Sequence, residues 1–248
     1  MRPTIALVAA ALTSATLPAA AFDDAQTRDI EKIVREYLVA HPEVLLEAID
    51  ALEAKRTAEA QATRGAAIAS VSQLLTATPA GTAVGNPAGD VTITEFFDYN
   101  CGYCKRAAAD MEVLLATDPQ LRVVLKEVPV LGPDSEAATR VSLAFRSLAP
   151  DRYPAYQKML LASRERVDQE RALTVAAEFD VSREQLMPLL QSDAVTSVLA
   201  ESAQLLDTLG ISGTPTYVVG GELVSGAVGA DALAKRIANV RQCGKATC

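Results

Sequence analysis

The sequence predicts an α/β fold: a βαβ unit, a run of inserted helices and a closing ββα, preceded by an N-terminal helical arm. Three observations carry that expectation. Residues 91–97, a β-branched and aromatic run, and 121–128, rich in Val and Leu, stand on either side of a helix-forming stretch, 105–116. Strand, helix, strand in that order requires a parallel pair. Residues 134–210 read as successive helices, and 216–219 and 223–225 are short strands joined through Gly220-Gly221, a hairpin signal, before a helix over 230–241.

Residues 1–21 stand apart from the fold. Arg2 supplies a positive start, Ile5 to Leu12 an apolar core, and Ala19-Ala20-Ala21 small residues, which is the pattern of a secretory signal peptide cleaved near Ala21. An uncleaved anchor is the alternative, but Thr13, Ser14, Thr16 and Pro18 interrupt the apolar run. Without this segment the chain carries 22 basic against 31 acidic residues, a net charge of −9. With no basic cluster, that balance excludes nucleic acid as a partner. Export to a periplasm or beyond also lets disulfides persist.

Residues 22–78 form the expected arm. Ile30, Ile33, Val34, Tyr37, Leu38, Val44, Leu45, Ile49 and Leu52 recur at helical steps, broken once at His41-Pro42, where proline suits a first turn but not an interior. Two helices should meet there, with His41 as a capping residue. The alanine-rich stretch 57–75 continues as helix, and 78–90 is a turn-rich connection. The apolar stripe over 27–75 can fold back on its own domain or pair with copies of itself as a dimer or trimer. Residues 79–248 form the main domain, with the helical insertion at about 134–210. Within that insertion Ser135 and Ser182 are the expected N-caps, the latter with Gln185 three residues on. The charged run 164–171 reads as a solvated helix face.

Chemistry concentrates at Cys101-Gly102-Tyr103-Cys104, which follows a strand and opens a helix. A sulfur at a helix start is favoured as thiolate, so Cys101 is the expected nucleophile. Cys104, one turn on, would resolve the mixed disulfide. Half a zinc site is the rival reading, yet His41, Cys243 and Cys248 supply no second tight pair. No resident metal or cofactor is expected. Cys243 and Cys248 would close a local loop in an oxidising compartment, or serve as a second redox or copper-handling pair.

Phe96-Phe97 before Cys101-Gly102-Tyr103-Cys104, together with Gly213-Thr214-Pro215 and the element order, resembles the DsbA-type thioredoxin-fold disulfide oxidoreductases, in which helices are inserted within a thioredoxin fold. The stretch Val34-Arg-Glu-Tyr-Leu-Val-Ala-His41-Pro-Glu-Val-Leu-Leu-Glu47 and the segment from Lys126 to Ser135 are similar to the suppressor-of-copper-sensitivity protein C (ScsC) group. The resemblance implies a cis Pro215 against the cysteines, with Gly102, Tyr103 and Thr214 meeting the substrate chain. It implies that Glu95 accepts the Cys104 proton; a sheet-edge or paired glutamate is the plain alternative, with Lys126 as a neighbouring-strand partner. It also implies a periplasmic setting, secreted cysteine-containing substrates, and a membrane thiol donor of the DsbD or ScsB kind. Gly102 and Tyr103 bring no cation to the thiolate, and Cys-Gly-Tyr-Cys with Thr214 is similar to the disulfide isomerases. Isomerase or reductase is therefore favoured over a dithiol oxidase. Cu(I) binding at Cys101 and Cys104 and a chaperone role for the arm are readings of other classes.

Overall fold

The structure, a computed structural model, describes residues 23–77, 79 and 81–248. The signal peptide expected over 1–21 lies outside the described residues. The chain divides into two compact units, the first ending at Thr57 and the second comprising Ala58–Cys248. Among the described residues, no helix is long and apolar enough to cross a membrane.

The first unit is helical. α1 (Asp24–Ala40) opens on a capping box: the Asp23 carboxylate accepts from the Ala25 and Gln26 amides, and the Gln26 side chain accepts from the Asp23 amide. It ends where Pro42 forbids continuation, with His41 as its C-cap. α2 (Glu43–Ser70) starts at once, and the His41 ring contacts Glu43 at 3.1 Å. No residue of α1 is buried; Ile33 is 65% exposed and Tyr37 53%.

The second unit begins inside α2, earlier than the boundary at 78 expected from sequence. Its later turns and α3 (Ser72–Thr76) carry Ile68, Val71 and Leu75 into a core, so they pack as part of the sheet domain. The sheet contains β1 (Ala83–Gly85), β2 (Val91–Phe97), β3 (Leu121–Glu127), β4 (Thr216–Val219) and β5 (Glu222–Ser225), in the order β1-β3-β2-β4-β5. β2 and β3 run parallel, and the other pairs are antiparallel. Between β2 and β3 lies α4 (Gly102–Thr117). The insertion holds α5 (Pro133–Leu148), α6 (Tyr153–Leu161), α7 (Gln169–Ala177), α8 (Arg183–Leu186) and α9 (Asp193–Leu209), and α10 (Ala230–Cys243) closes the chain.

Both faces of the central strand are covered, and every residue of β2 except Thr92 is buried. Alternation puts Ile93, Glu95 and Phe97 on one face and Thr94 and Phe96 on the other. The first face packs on Met111 and Leu114 of α4, Leu233 and Ile237 of α10, and Phe145, Tyr153 and Tyr156 of the insertion. On the second face, Phe96, Val128 and Val218 meet Ile68, Val71, Leu75, Leu205 and Leu209.

Four further expectations are corrected. The connection 78–90 contains a strand, β1, paired antiparallel with β3. Its three residues sit among glycines and prolines, too short for alternation to show. Gly85 is required there: its φ is +80°, and a Cβ would lie 2.4 Å from the Leu121 carbonyl oxygen. Ser135 is not an N-cap, because Pro133 begins the helix and Gly132 precedes it. The run 164–171 is irregular until α7 begins at Gln169. Lys126 cannot neutralise Glu95: it registers with Phe96, on the opposite face, and its Nζ meets Glu201 at 2.6 Å.

Candidate active site

The site lies at the end of β2. Asp98, Tyr99 and Asn100 connect that strand to Cys101, and hydrogen bonds determine their course. Asp98 Oδ1 accepts from the Asn100 amide at 2.7 Å and from Ser135 Oγ at 2.8 Å, while Oδ2 accepts from the Leu131 amide at 3.0 Å. Asn100 clamps Val167 in the insertion, accepting from its amide at 2.8 Å and donating to its carbonyl at 2.9 Å. The loop before the cysteines is thus tied to the helical insertion at two points.

Cys101 is the N-cap of α4. Its Sγ accepts from the Cys104 amide at 3.3 Å and donates to the Thr214 carbonyl at 3.1 Å. Cys104 is 1% exposed, and burial pushes its thiol well above the ordinary range. The Thr214–Pro215 peptide is cis. Gly102 and Tyr103 lie on the exposed side, Tyr103 60% exposed. The Arg106 guanidinium sits 4.3 Å from the Tyr103 ring centroid, so a cation stands near the motif although the dipeptide carries none.

Glu95 is neither at a sheet edge nor ion-paired to Lys126. It lies on the central strand, 4% exposed, and burial pushes its carboxyl up to about 7, opposed by a hydrogen bond from Tyr217. Tyr217 faces it directly across β2 and β4. Beside Glu95 a cavity of about 190 Å³ opens beneath α4 and α6, lined mainly by Val84, Met111, Leu115, Leu125 and Leu161.

Sequence reading missed Tyr217, Asn100 and Glu127. Glu127 ends β3 in a buried cluster, its Oε1 accepting from Ser142 Oγ at 2.9 Å and from the Tyr153 hydroxyl. Ser142 also bonds the Tyr99 hydroxyl at 2.8 Å. Burial raises this carboxyl too, to about 7, against the Tyr153 hydrogen bond and the Arg146 charge. The available signal was an acid at the end of an otherwise apolar strand. Cys243 and Cys248 are joined as a disulfide that closes the tail. The adjoining Ala246 is buried, and its carbonyl accepts from the Asn239 side chain at 2.9 Å. Among the described residues, no group of three or more His, Cys, Asp or Glu could hold a metal ion.

Residues 92–238 match the family profile of the DSBA-like thioredoxin domain. Residues 26–59 match that of the copper resistance protein ScsC N-terminal domain. The thiol:disulfide interchange protein DsbA of Bordetella pertussis is 28% identical over 143 residues, spanning 56% of this chain and 68% of that protein. A thioredoxin-like oxidoreductase from Silicibacter pomeroyi is 37% identical with a TM-score of 0.65, over 69% of this chain and 98% of that one. Proteus mirabilis ScsC in a transitional conformation is 29% identical with a TM-score of 0.64, over 88% and 96%.

Proposed function

The chain belongs to the family of DSBA-like thioredoxin domains, and from that premise we propose that it reduces and isomerises disulfides in exported proteins through Cys101 and Cys104. One observation carries the reading: Cys101 Sγ sits between the Cys104 amide and the Thr214 carbonyl, at 3.3 and 3.1 Å. In that position the sulfur stands at a helix start, and the chain beside the cis proline offers backbone groups to a substrate strand. The Cys101 thiolate attacks a substrate disulfide, forming a mixed disulfide and releasing one substrate thiolate. Attack by a second substrate thiol then completes isomerisation. Attack by Cys104 instead closes Cys101–Cys104 and leaves the substrate reduced.

The preference for isomerase or reductase rests on Gly102 and Tyr103, neither of which holds a cation against Cys101. A dithiol oxidase is the second reading, favoured by Arg106 over the Tyr103 ring. Redox titration of Cys101–Cys104, paired with refolding of a scrambled disulfide substrate, separates the two. An intermediate potential with isomerase activity is expected; a strongly oxidising potential without it selects the oxidase. Cu(I) handling is supported by the copper resistance name of the N-terminal profile. It predicts tight Cu(I) binding by the reduced protein without exchange activity.

The setting follows from the same reading. The leader pattern of residues 1–21 supports a periplasmic location, and a membrane thiol donor of the DsbD or ScsB kind would keep the pair reduced. The exposed apolar residues of α1 and early α2, including Ile33, Leu46 and Ile49, support self-association as a trimer or dimer through residues 27–75. Light scattering on the full chain and on a chain lacking residues 23–57 tests this: only the full chain should exceed monomer mass.

A further inference from the structure

Thiol exchange at a buried second cysteine has a proton problem. Cys104 must lose its proton before it can attack, yet it is 1% exposed and its thiol is held protonated by burial. Glu95 is the buried base on the same face of the sheet, but what acts on its carboxyl, apart from burial, is the hydroxyl of Tyr217. Tyr217 is itself 1% exposed, registers opposite Glu95, and lies two residues beyond the cis Thr214–Pro215 bond, whose Thr214 carbonyl holds Cys101. Tyr217, Cys101 and Cys104 belong to one buried cluster, and negative charge on Glu95, Cys104 or Cys101 would bear on the Tyr217 hydroxyl. The remaining acid acting on it is Asp110 of α4. Glu95 also borders the cavity beneath α4 and α6, whose outer wall includes Gln157 and the Lys158–Glu112 ion pair.

We propose that the Tyr217 hydroxyl relays the Cys104 proton to Glu95, and that the cavity beneath α4 returns it to solvent. The inference rests on the exchange reading above. As Cys104 gives its proton to Tyr217 oxygen, the tyrosine hydroxyl proton passes to the Glu95 carboxylate, so the tyrosine ends unchanged. The Cys104 thiolate attacks Cys101 Sγ; the Cys101–Cys104 bond forms, and the Cys101–substrate bond breaks. The substrate departs as a thiolate and the protein pair is oxidised. Burial holds the Tyr217 hydroxyl protonated, which suits concerted transfer over a free phenolate. In the reverse direction Glu95 returns its proton to Cys104 as the pair is reduced.

The test is stopped-flow reaction of the full reduced chain with an aromatic disulfide that releases thionitrobenzoate. Attack by Cys101 releases a first equivalent and attack by Cys104 a second. In the unsubstituted protein the second phase should accelerate as pH rises through about 7, where Glu95 ionises. Tyr217→Phe should preserve the first phase and slow the second at least about tenfold at neutral pH, as loss of a general base does. Its pH limb should move upward, because the hydrogen bond favouring the carboxylate is gone. Glu95→Gln should abolish the limb. An unchanged second phase in Tyr217→Phe overturns the relay. Absence of the first phase in the unsubstituted protein overturns the exchange reading itself. Should Tyr217→Phe fold poorly, infrared spectroscopy of the unsubstituted protein decides: the Glu95 carboxyl band must shift when the cysteine pair closes, and a stationary band overturns the proposal.

Discussion

Replacing Glu95 by glutamine should stabilise the protein at alkaline pH and leave it little changed in acid. Folding buries this carboxyl completely and raises it from an ordinary 4.5 to about 7. Below pH 4.5 the group is protonated in both folded and unfolded chains and costs nothing. Between 4.5 and about 7 the folded protein holds a proton that the unfolded chain has lost, so stability falls as pH rises. Above about 7 the full penalty applies: at about 1.4 kcal/mol per pH unit it is roughly 3 kcal/mol. Glutamine keeps the shape and carries no charge. Urea unfolding of the reduced protein at pH 4, 6 and 8 should therefore show a gap between variant and parent that widens to about 3 kcal/mol. A gap independent of pH, or one that widens toward acid, refutes burial as the cause of the raised carboxyl. The parent's remaining dependence over the same range belongs partly to Glu127, raised for the same reason.

Other expectations follow from the same contacts. Cys101→Ser should abolish thiol exchange, whereas Cys104→Ser should accumulate mixed disulfides on Cys101 that intact-mass measurement detects. Phe96→Ala empties a fully buried position between β2 and the α2, α3 and α9 layer; by chemical denaturation it should cost about 3–5 kcal/mol. Asn100→Ala removes the clamp on Val167 and leaves buried backbone groups unpaired; unfolding should show a loss of about 1–3 kcal/mol, with slower exchange. Replacing Cys243 and Cys248 together by serine should lower stability by about 2 kcal/mol, the entropy of a short closed loop, with the exchange rate unaltered.

Much of the site was readable before folding was considered. The cysteines, their helix start and Thr214-Pro215 depend on local spacing, and local spacing survives into the structure. The break at His41-Pro42 was equally plain, since a missing amide stops a helix wherever it stands. Glu95 could be named but not placed: a sheet edge and a central strand look alike until the strand order is known. Tyr217 carried no mark in the sequence, because its place comes from a strand register that sets it across from Glu95. Lys126 shows the same limit from the other side, one register step turning a suggested partner onto the opposite face.

The sequence by itself determined the order of the main elements and which two sulfurs stand at the start of a helix, because periodicity and covalent spacing are written along the chain. Only the tertiary structure decided that β1 joins the sheet, that α3 and the end of α2 cover its second face, and which side chains could pass a proton. Those outcomes depend on pairing between distant segments and on exclusion of water, and neither has a local signature.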